Sequence, residues 1–218
     1  MEVKMANLID KVHWLGHASF LVRNGKVIYF DPYKINATEK ADLILVTHEH
    51  FDHCSPDDIK QIIQPSTVIV TVPGNKAKLS PVAGEIAEIR FVKPGDTLTI
   101  QGIGIEAIPA YNVDKSFHPK SNEWVGFIVE VEGEKIYHSG DTDLIPEMGS
   151  VSCDIALLPV SGTYVMTAEE AAKAAAQIKP KIAVPMHYGD IVGNEDDAKR
   201  FQSLCECECR ILNKENQE

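Results

Sequence analysis

Long apolar runs, surplus positive charge and a pairable set of cysteines are all missing from this chain of 218 residues. No apolar stretch approaches the roughly 18 residues of a membrane-spanning helix. Met1 to Asp10 is mixed in charge and lacks the apolar core of an export signal. Lys and Arg total 21 against 32 Asp and Glu, a formal net charge of −11. Nucleic-acid backbones and anionic membranes attract basic faces, so neither is expected as the main partner. The cysteines number five, and Cys205, Cys207 and Cys209 alternate too closely for a disulfide framework. Small buried apolar side chains are the simpler reading of them, and a reducing cytoplasm is the expected compartment.

What is there is an ordinary globular composition, 44% hydrophobic and 24% charged. The length predicts one domain over residues 1–218, acting on a small-molecule substrate, with a homo-oligomer left open. Apolar runs predict strands at Val12–Leu15, Ser19–Arg23, Val27–Phe30, Leu43–Val46, Thr67–Val72, Ile89–Val92, Thr97–Ile100 and Ile103–Ile108. More follow at Val125–Val131, Lys135–His138, Ile155–Pro159, Ile182–Pro185 and Cys207–Leu212. Asn24-Gly25 and Glu132-Gly133 read as hairpin turns. Ser55-Pro56 opens a helix towards Ile63. Thr167 and Glu170 form a capping box for an alanine-rich helix ending at Ile178, and Glu195–Leu204 is another helix. Each half runs strands first, then strand–helix–strand. That order predicts an α/β (α+β) fold of two packed sheets with helices outside.

The densest chemistry lies at His48-Glu49-His50-Phe51-Asp52-His53, directly after the apolar run Leu43–Val46. Packing gives little reason to gather such groups, because buried polar side chains are costly unless paired. Imidazoles and carboxylates are the usual ligands of divalent metals. Two further apolar strands end in metal-competent residues, one at Asp141 and one at His187. Ligands in α/β proteins sit where strand C-termini open into loops. His48 and His50, two residues apart, project to one side of extended backbone, whereas Asp52 and His53 lie past a bend. One loop could thus serve two ions roughly 3.5–4 Å apart, with Asp141 bridging and His187 completing the second.

The stretch Thr47 to His53 resembles the HxHxDH motif of the metallo-β-lactamase superfamily. Gly140-Asp141-Thr142 and His187 are further matches, and the resemblance runs from about Trp14 to Tyr188. Trp14-Leu15-Gly16-His17-Ala18-Ser19 and Phe30-Asp31-Pro32 are similar to the branch of ascorbate-6-phosphate lactonase-like hydrolases. The resemblance implies a four-layer αββα sandwich with helices on the outer faces and a metal cleft at one edge. It implies His48 and His50 on a first metal, Asp52, His53 and His187 on a second, and Asp141 between them. It further implies hydrolysis of an ester, lactone or phosphodiester by metal-bound hydroxide, with Asp52 and Asp141 as the catalytic carboxylates. Zn²⁺ fits the donor set best, as one or two ions per chain, with Mn²⁺ or Fe²⁺ compatible. A di-iron redox centre is disfavoured, because such relatives carry HxExD and here His50 takes the carboxylate's place.

One position departs from the pattern. After Ile103–Ile108 the family usually supplies another histidine to the first metal, and Asn112 stands there. Either His118 folds back as the replacement, or the first ion is weakly held. The latter leaves a mononuclear or non-catalytic metal-binding protein as the alternative. His17, His138 and Tyr188 are candidates for orienting ligands or substrate. Lys115, His118 and Lys120 make their loop locally basic, so Lys120 is a candidate clamp for an anionic substrate group.

Overall fold

Tyr29, Ile44 and Ile69 point to one side of their strands, while Ile28, Leu43, Leu45 and Val70 point to the other, yet all are fully buried. Strands wrapped on both faces read as continuous apolar runs, and here the reason is a layer of side chains on each side. A computed structural model describes residues 8–36 and 39–215 of the protein. The first sheet contains β1 (Val12–Gly16), β2 (Ser19–Arg23), β3 (Val27–Phe30), β4 (Leu43–Val46), β5 (Val68–Thr71) and β6 (Glu88–Phe91) in sequential order. The second sheet runs from β7 (Thr97–Ile100) through β8 (Ile103–Pro109), β9 (Val125–Val131) and β10 (Glu134–His138). It continues with β11 (Ile155–Pro159), β12 (Ile182–Met186) and β13 (Glu208–Cys209), again in sequential order.

Both sheets begin with antiparallel hairpins and finish with parallel strands, starting at the β3–β4 and β10–β11 pairs. Helices α1 (Pro56–Ile62) and α2 (Lys76–Leu79) cover the outer face of the first sheet, where Ile59, Ile62 and Leu79 join Leu21, Tyr29 and Ile44. On the second sheet α3 (Ala168–Ile178) packs against β11 and α4 (Glu195–Leu204) against β12. Between the sheets Phe20, Phe30 and Leu45 meet Phe127, Val129 and Ile136 in the larger core. Each such side chain contributes about 1.5–3 kcal/mol on burial, and together they set the sheets face to face. The result is the four-layer αββα sandwich.

Local signals account for the helix ends. The Ser55 side chain accepts from the Asp58 N–H, and Thr167 and Glu170 form both bonds of the capping box. Lys179 closes α3 in the left-handed conformation at φ 55°. Two elements differ from expectation. The final strand is only Glu208–Cys209, because its ladder with β12 pairs just Ile182 with Glu208 and Ala183 with Cys209. Helix α2, with the 3₁₀ turn at Pro73–Asn75 before it, is too short to show a helical period in sequence. No helix among the described residues is long and apolar enough to cross a membrane.

Candidate metal centre

Strand ends and turns from both sheets meet at one rim of the sandwich. The loop after β4 carries His48 to His53, the turn after β1 carries His17, and the loop after β8 carries His118. Asp141 follows β10 and His187 follows β12. Two groups of potential ligand atoms result. One comprises His48, His50, His118 and Asp141, the other His17, Asp52, His53 and His187, and within each the atoms lie within 4.8 Å of one another.

In the first group His48 Nε2 stands 3.0 Å from His50 Nδ1, and His118 Nε2 stands 3.3 Å from Asp141 Oδ2. In the second, Asp52 Oδ2 lies 3.0 Å from His17 Nε2 and 3.6 Å from His53 Nε2. Asp141 also reaches the second group: Oδ1 is 3.3 Å from His53 Nε2 and Oδ2 is 3.1 Å from His187 Nε2. One carboxylate thus touches both groups.

The imidazoles are held from behind. His53 Nδ1 donates to Asp31 Oδ2 at 2.7 Å, and the Thr47 hydroxyl donates to the same oxygen at 2.7 Å. With its proton committed there, Thr47 Oγ1 accepts from His48 Nδ1 at 2.9 Å. His118 Nδ1 faces two carbonyl oxygens, Asn112 Oδ1 at 3.1 Å and Tyr164 O at 3.2 Å. His187 Nδ1 meets the Ser161 hydroxyl at 3.1 Å. These contacts fix the Nδ1–H tautomer of His48, His53 and His118 and turn their Nε2 lone pairs inward.

The inward atoms want a partner. His53 Nε2, His118 Nε2, His187 Nε2 and Asp141 Oδ1 are all buried without a hydrogen-bond partner. Four orphaned polar atoms in one small volume would be costly in a finished core. Imidazole nitrogens and a carboxylate oxygen match the donor chemistry of a divalent metal site.

The electrostatics divide the histidines. Burial depresses the pKa of His48 well below the usual histidine value, with the neighbouring His53 adding to the effect. Burial likewise lowers His50 and His17. For His53 burial works against the imidazolium, but Asp141 and Asp31 outweigh it and raise its pKa strongly. Burial also opposes ionisation of Asp52, yet the hydrogen bond from His17 prevails and holds the carboxyl at about 2.

The backbone is bent to reach this arrangement. His17, Asp31 and His187 sit in the left-handed region at φ 50°, 41° and 60°. Such residues cluster where function fixes geometry. The His187 N–H donates to His17 O at 2.9 Å, joining the two sheets directly beside the second group. Gly140, at φ +63°, has the Val125 carbonyl oxygen 2.9 Å from where a Cβ would stand. Only glycine fits that turn, which aims Asp141.

Several sequence expectations change here. Asn112 does not point into the first group. Its Oδ1 accepts from the His118 N–H at 2.9 Å, while its Nδ2 donates to Asp143 Oδ1 at 3.1 Å and Tyr164 O at 2.9 Å. An amide that both donates and accepts is what folds the loop back, and it brings His118 into the group. His17 is not a peripheral histidine but a member of the second group. His138 touches neither group; Nε2 donates to Ala18 O at 2.8 Å and Nδ1 accepts from Gly140 N at 3.2 Å, steadying both flanking backbones. Tyr188 stacks on Trp14 at 4.8 Å. Lys120 faces outward, donating to Glu147 at 2.9 Å and to the Tyr111 hydroxyl at 3.1 Å, so it clamps no ligand in the cleft. Lys115 is paired with Asp143 at 2.6 Å. Cys205, Cys207 and Cys209 are half-buried and pack against the larger core, as small apolar residues do.

The sequence reading gives no role to two residues. Asp31 is one: it enters only as part of Phe30-Asp31-Pro32, although Val27–Phe30 is a fourth apolar strand ending in a carboxylate. Trp124 is the other. Its ring packs 4.8 Å from both His48 and His50 and 5.4 Å from His118, and its indole N–H donates to Glu49 at 2.6 Å. No motif marks it.

Comparison with known proteins bears on this centre. The family model of the β-lactamase superfamily domain matches residues 11–187. A protein of Thermoplasma acidophilum named a UPF0173 metal-dependent hydrolase is 34% identical over 212 residues, covering 92% of both chains. One of the same name from Thermococcus kodakarensis is 35% identical over 207 residues, covering 89% of this chain and 91% of its own. A crystal structure from Parabacteroides distasonis, described as that of a candidate metal-dependent hydrolase, superposes with a TM-score of 0.81 at 34% identity and covers 93% of each chain. The chain belongs to the β-lactamase superfamily domain family.

Proposed function

We propose that the protein is a metal-dependent hydrolase that binds two divalent ions, Zn²⁺ first among candidates, and cleaves an ester, lactone or phosphodiester of a small substrate. The observation that carries this reading is the pair of four-residue donor groups with Asp141 touching both. A bound ion pair would supply Lewis-acid activation of water and of the substrate's carbonyl or phosphoryl oxygen.

The chain's own residues do the rest. His48, His50, His118 and Asp141 would hold one ion, and His17, Asp52, His53, His187 and Asp141 the other. Asp52, ionised and bordering the cleft, accepts a hydrogen bond from the attacking water and orients it. With a pKa of about 2 it is a poor proton acceptor at neutral pH, so its part is orientation. Burial lowers the pKa of His48, His50 and His17 and so favours their neutral, metal-binding form. With His118 beside Asp141, the alternative of a single ion loses the motive that Asn112 supplied.

The test combines metal analysis with a substrate panel. Zinc-reconstituted protein should carry two ions per chain and hydrolyse at least one member of an ester, lactone and phosphodiester panel. Chelation should abolish the activity and Zn²⁺ or Mn²⁺ restore it. Activity surviving complete metal removal would refute the mechanism, and a fully loaded protein inert across the panel would refute the hydrolase reading.

A further inference from the structure

Beside the donor groups lies a cleft of about 270 Å³ whose walls are Phe51, Phe117, Tyr164 and Ile191. Its floor is made of residues from the two groups, Asp141 and Asp52 among them. Among the described residues five large hydrophobic side chains are exposed, and three of them, Phe51 at 62%, Phe117 at 51% and Ile191 at 37%, line this one cleft. Singly exposed apolar residues need no explanation, but a contiguous group rimming a polar floor marks a binding site.

The walls are held in place. Phe117 meets Tyr164 edge to face at 4.6 Å and 76°, and Phe51 meets Tyr33 at 5.8 Å and 79°. Among the described residues no lysine or arginine lines the cleft. The cations on the flanking loops are each committed elsewhere, Lys115 to Asp143, Lys120 to Glu147 and Lys34 to Asp190. An anionic group lying on these rings, away from the metal-facing floor, would lose its hydration with no side-chain cation to replace it.

We propose that the substrate presents an uncharged apolar group, an aryl or short branched alkyl, next to the bond that is cleaved, and that Phe51, Phe117, Tyr164 and Ile191 hold it. This rests on the hydrolase reading and replaces the anionic substrate that the loop lysines pointed to. The cleft is at the small end of ligand pockets, which span roughly 300–1,000 Å³, so the substrate is a small molecule rather than a polymer.

Binding tests this independently of turnover. Zinc-loaded protein is titrated calorimetrically with three hydroxamates: benzohydroxamate, acetohydroxamate and the monohydroxamate of succinate. Benzohydroxamate should bind about tenfold or more tightly than the other two, the worth of one buried ring. Phe117→Ala and Ile191→Ala should shrink that ratio towards one, whereas Phe91→Ala, an exposed aromatic outside the cleft, should preserve it. The proposal is overturned if the succinate derivative binds as tightly as benzohydroxamate, if no hydroxamate binds, or if the ratio survives both cleft substitutions. Tight binding to phosphatidylcholine vesicles that both substitutions abolish would also overturn it, by making the aromatic rim a membrane contact. A retained ratio in a protein that hydrolyses nothing refutes the hydrolase reading alone. Hydrolysis that prefers charged substrates refutes the apolar cleft alone.

Discussion

The side-chain oxygen of Asn112 accepts two hydrogen bonds from one residue, from the backbone N–H of His118 at 2.9 Å and from its ring Nδ1 at 3.1 Å. The residue that breaks the family pattern is the one that positions the His118 ring. A six-residue detour of chain ends with His118 Nε2 beside Asp141, and Asp143 anchors the detour by receiving both Asn112 Nδ2 and the Val113 N–H.

His118→Ala should therefore remove about one ion per chain while the second group stays filled. Asn112→Ala keeps all donors but frees the ring, so affinity at the first site should fall by about 10–100-fold, the usual cost of losing a partner behind a ligand. Metal titration with a colorimetric competitor reads both. An unaltered two-ion stoichiometry in His118→Ala would remove His118 from the ligand set.

Asp31 stands behind both groups, since its Oδ2 receives His53 directly and His48 through Thr47. Asp31→Asn should weaken both sites, by about 10–100-fold each. Thr47→Val should weaken only the first. Equal effects of the two substitutions on both sites would show that the relay through Thr47 has no role in aiming His48.

Trp124 packs against three histidines of the first group, whereas Trp14 stacks on Tyr188. Filling the first site should change the intrinsic fluorescence with a single saturating step, and Trp124→Phe should abolish that change. A signal that persists in Trp124→Phe would assign it to Trp14 and the second site instead.

Much of this architecture was legible in the chain, for identifiable reasons. Strands such as Leu43–Val46 and Ile155–Pro159 are buried on both faces, so their apolar runs are unbroken and match the observed bounds. His48, His50, Asp52 and His53 announce themselves by density. What stayed illegible depends on partners distant in sequence. Lys120 reads as a free cation until Glu147 is found beside it, and Asn112 reads as a failed ligand until Asp143 and Tyr164 are seen to hold its amide. Asp31 carries no local mark of the two histidines it serves. Trp124 looks like any core aromatic until three imidazoles surround it.

Gly140→Ala should destabilise the fold, because a left-handed conformation costs a residue with a Cβ roughly 1–2 kcal/mol before any clash is counted. Here the Val125 carbonyl oxygen would lie 2.9 Å from that Cβ. For a protein of this length each kcal/mol lowers Tm by about 2–4 °C. Calorimetry on the metal-free protein separates this from lost metal; a Tm unchanged within one degree, about half of the smallest expected drop, would contradict the strained turn.

Burial pushes the thiols of Cys54 and Cys153 up to about 12 from their ordinary value of 9.0. At pH 8 a thiol of pKa about 12 is ionised in about one molecule in ten thousand, so neither should react with iodoacetamide until the chain unfolds. The stability consequence has a definite sign. The unfolded thiols lose protons above about 9 while the folded ones keep theirs, so the unfolded state binds fewer protons and stability falls as pH rises from 9 towards 12. Denaturation midpoints between pH 8 and 10.5 check it, and a rising midpoint would contradict the burial of both thiols.

Each donor group takes members from both sheets: His48 and His50 face His118 and Asp141, and His17, Asp52 and His53 face His187. The sandwich is in that respect a book with a two-pronged clasp on one edge. Without metal the pages stay pressed together by their apolar faces, and along that edge backbone threads remain, among them the His187 N–H to His17 O and the Val125 N–H to Thr47 O. That edge would also be the way in for an incoming ion, because the donor atoms lie along it. An ion held in either group would tie one sheet to the other, so loading the protein with metal should stiffen it along that edge.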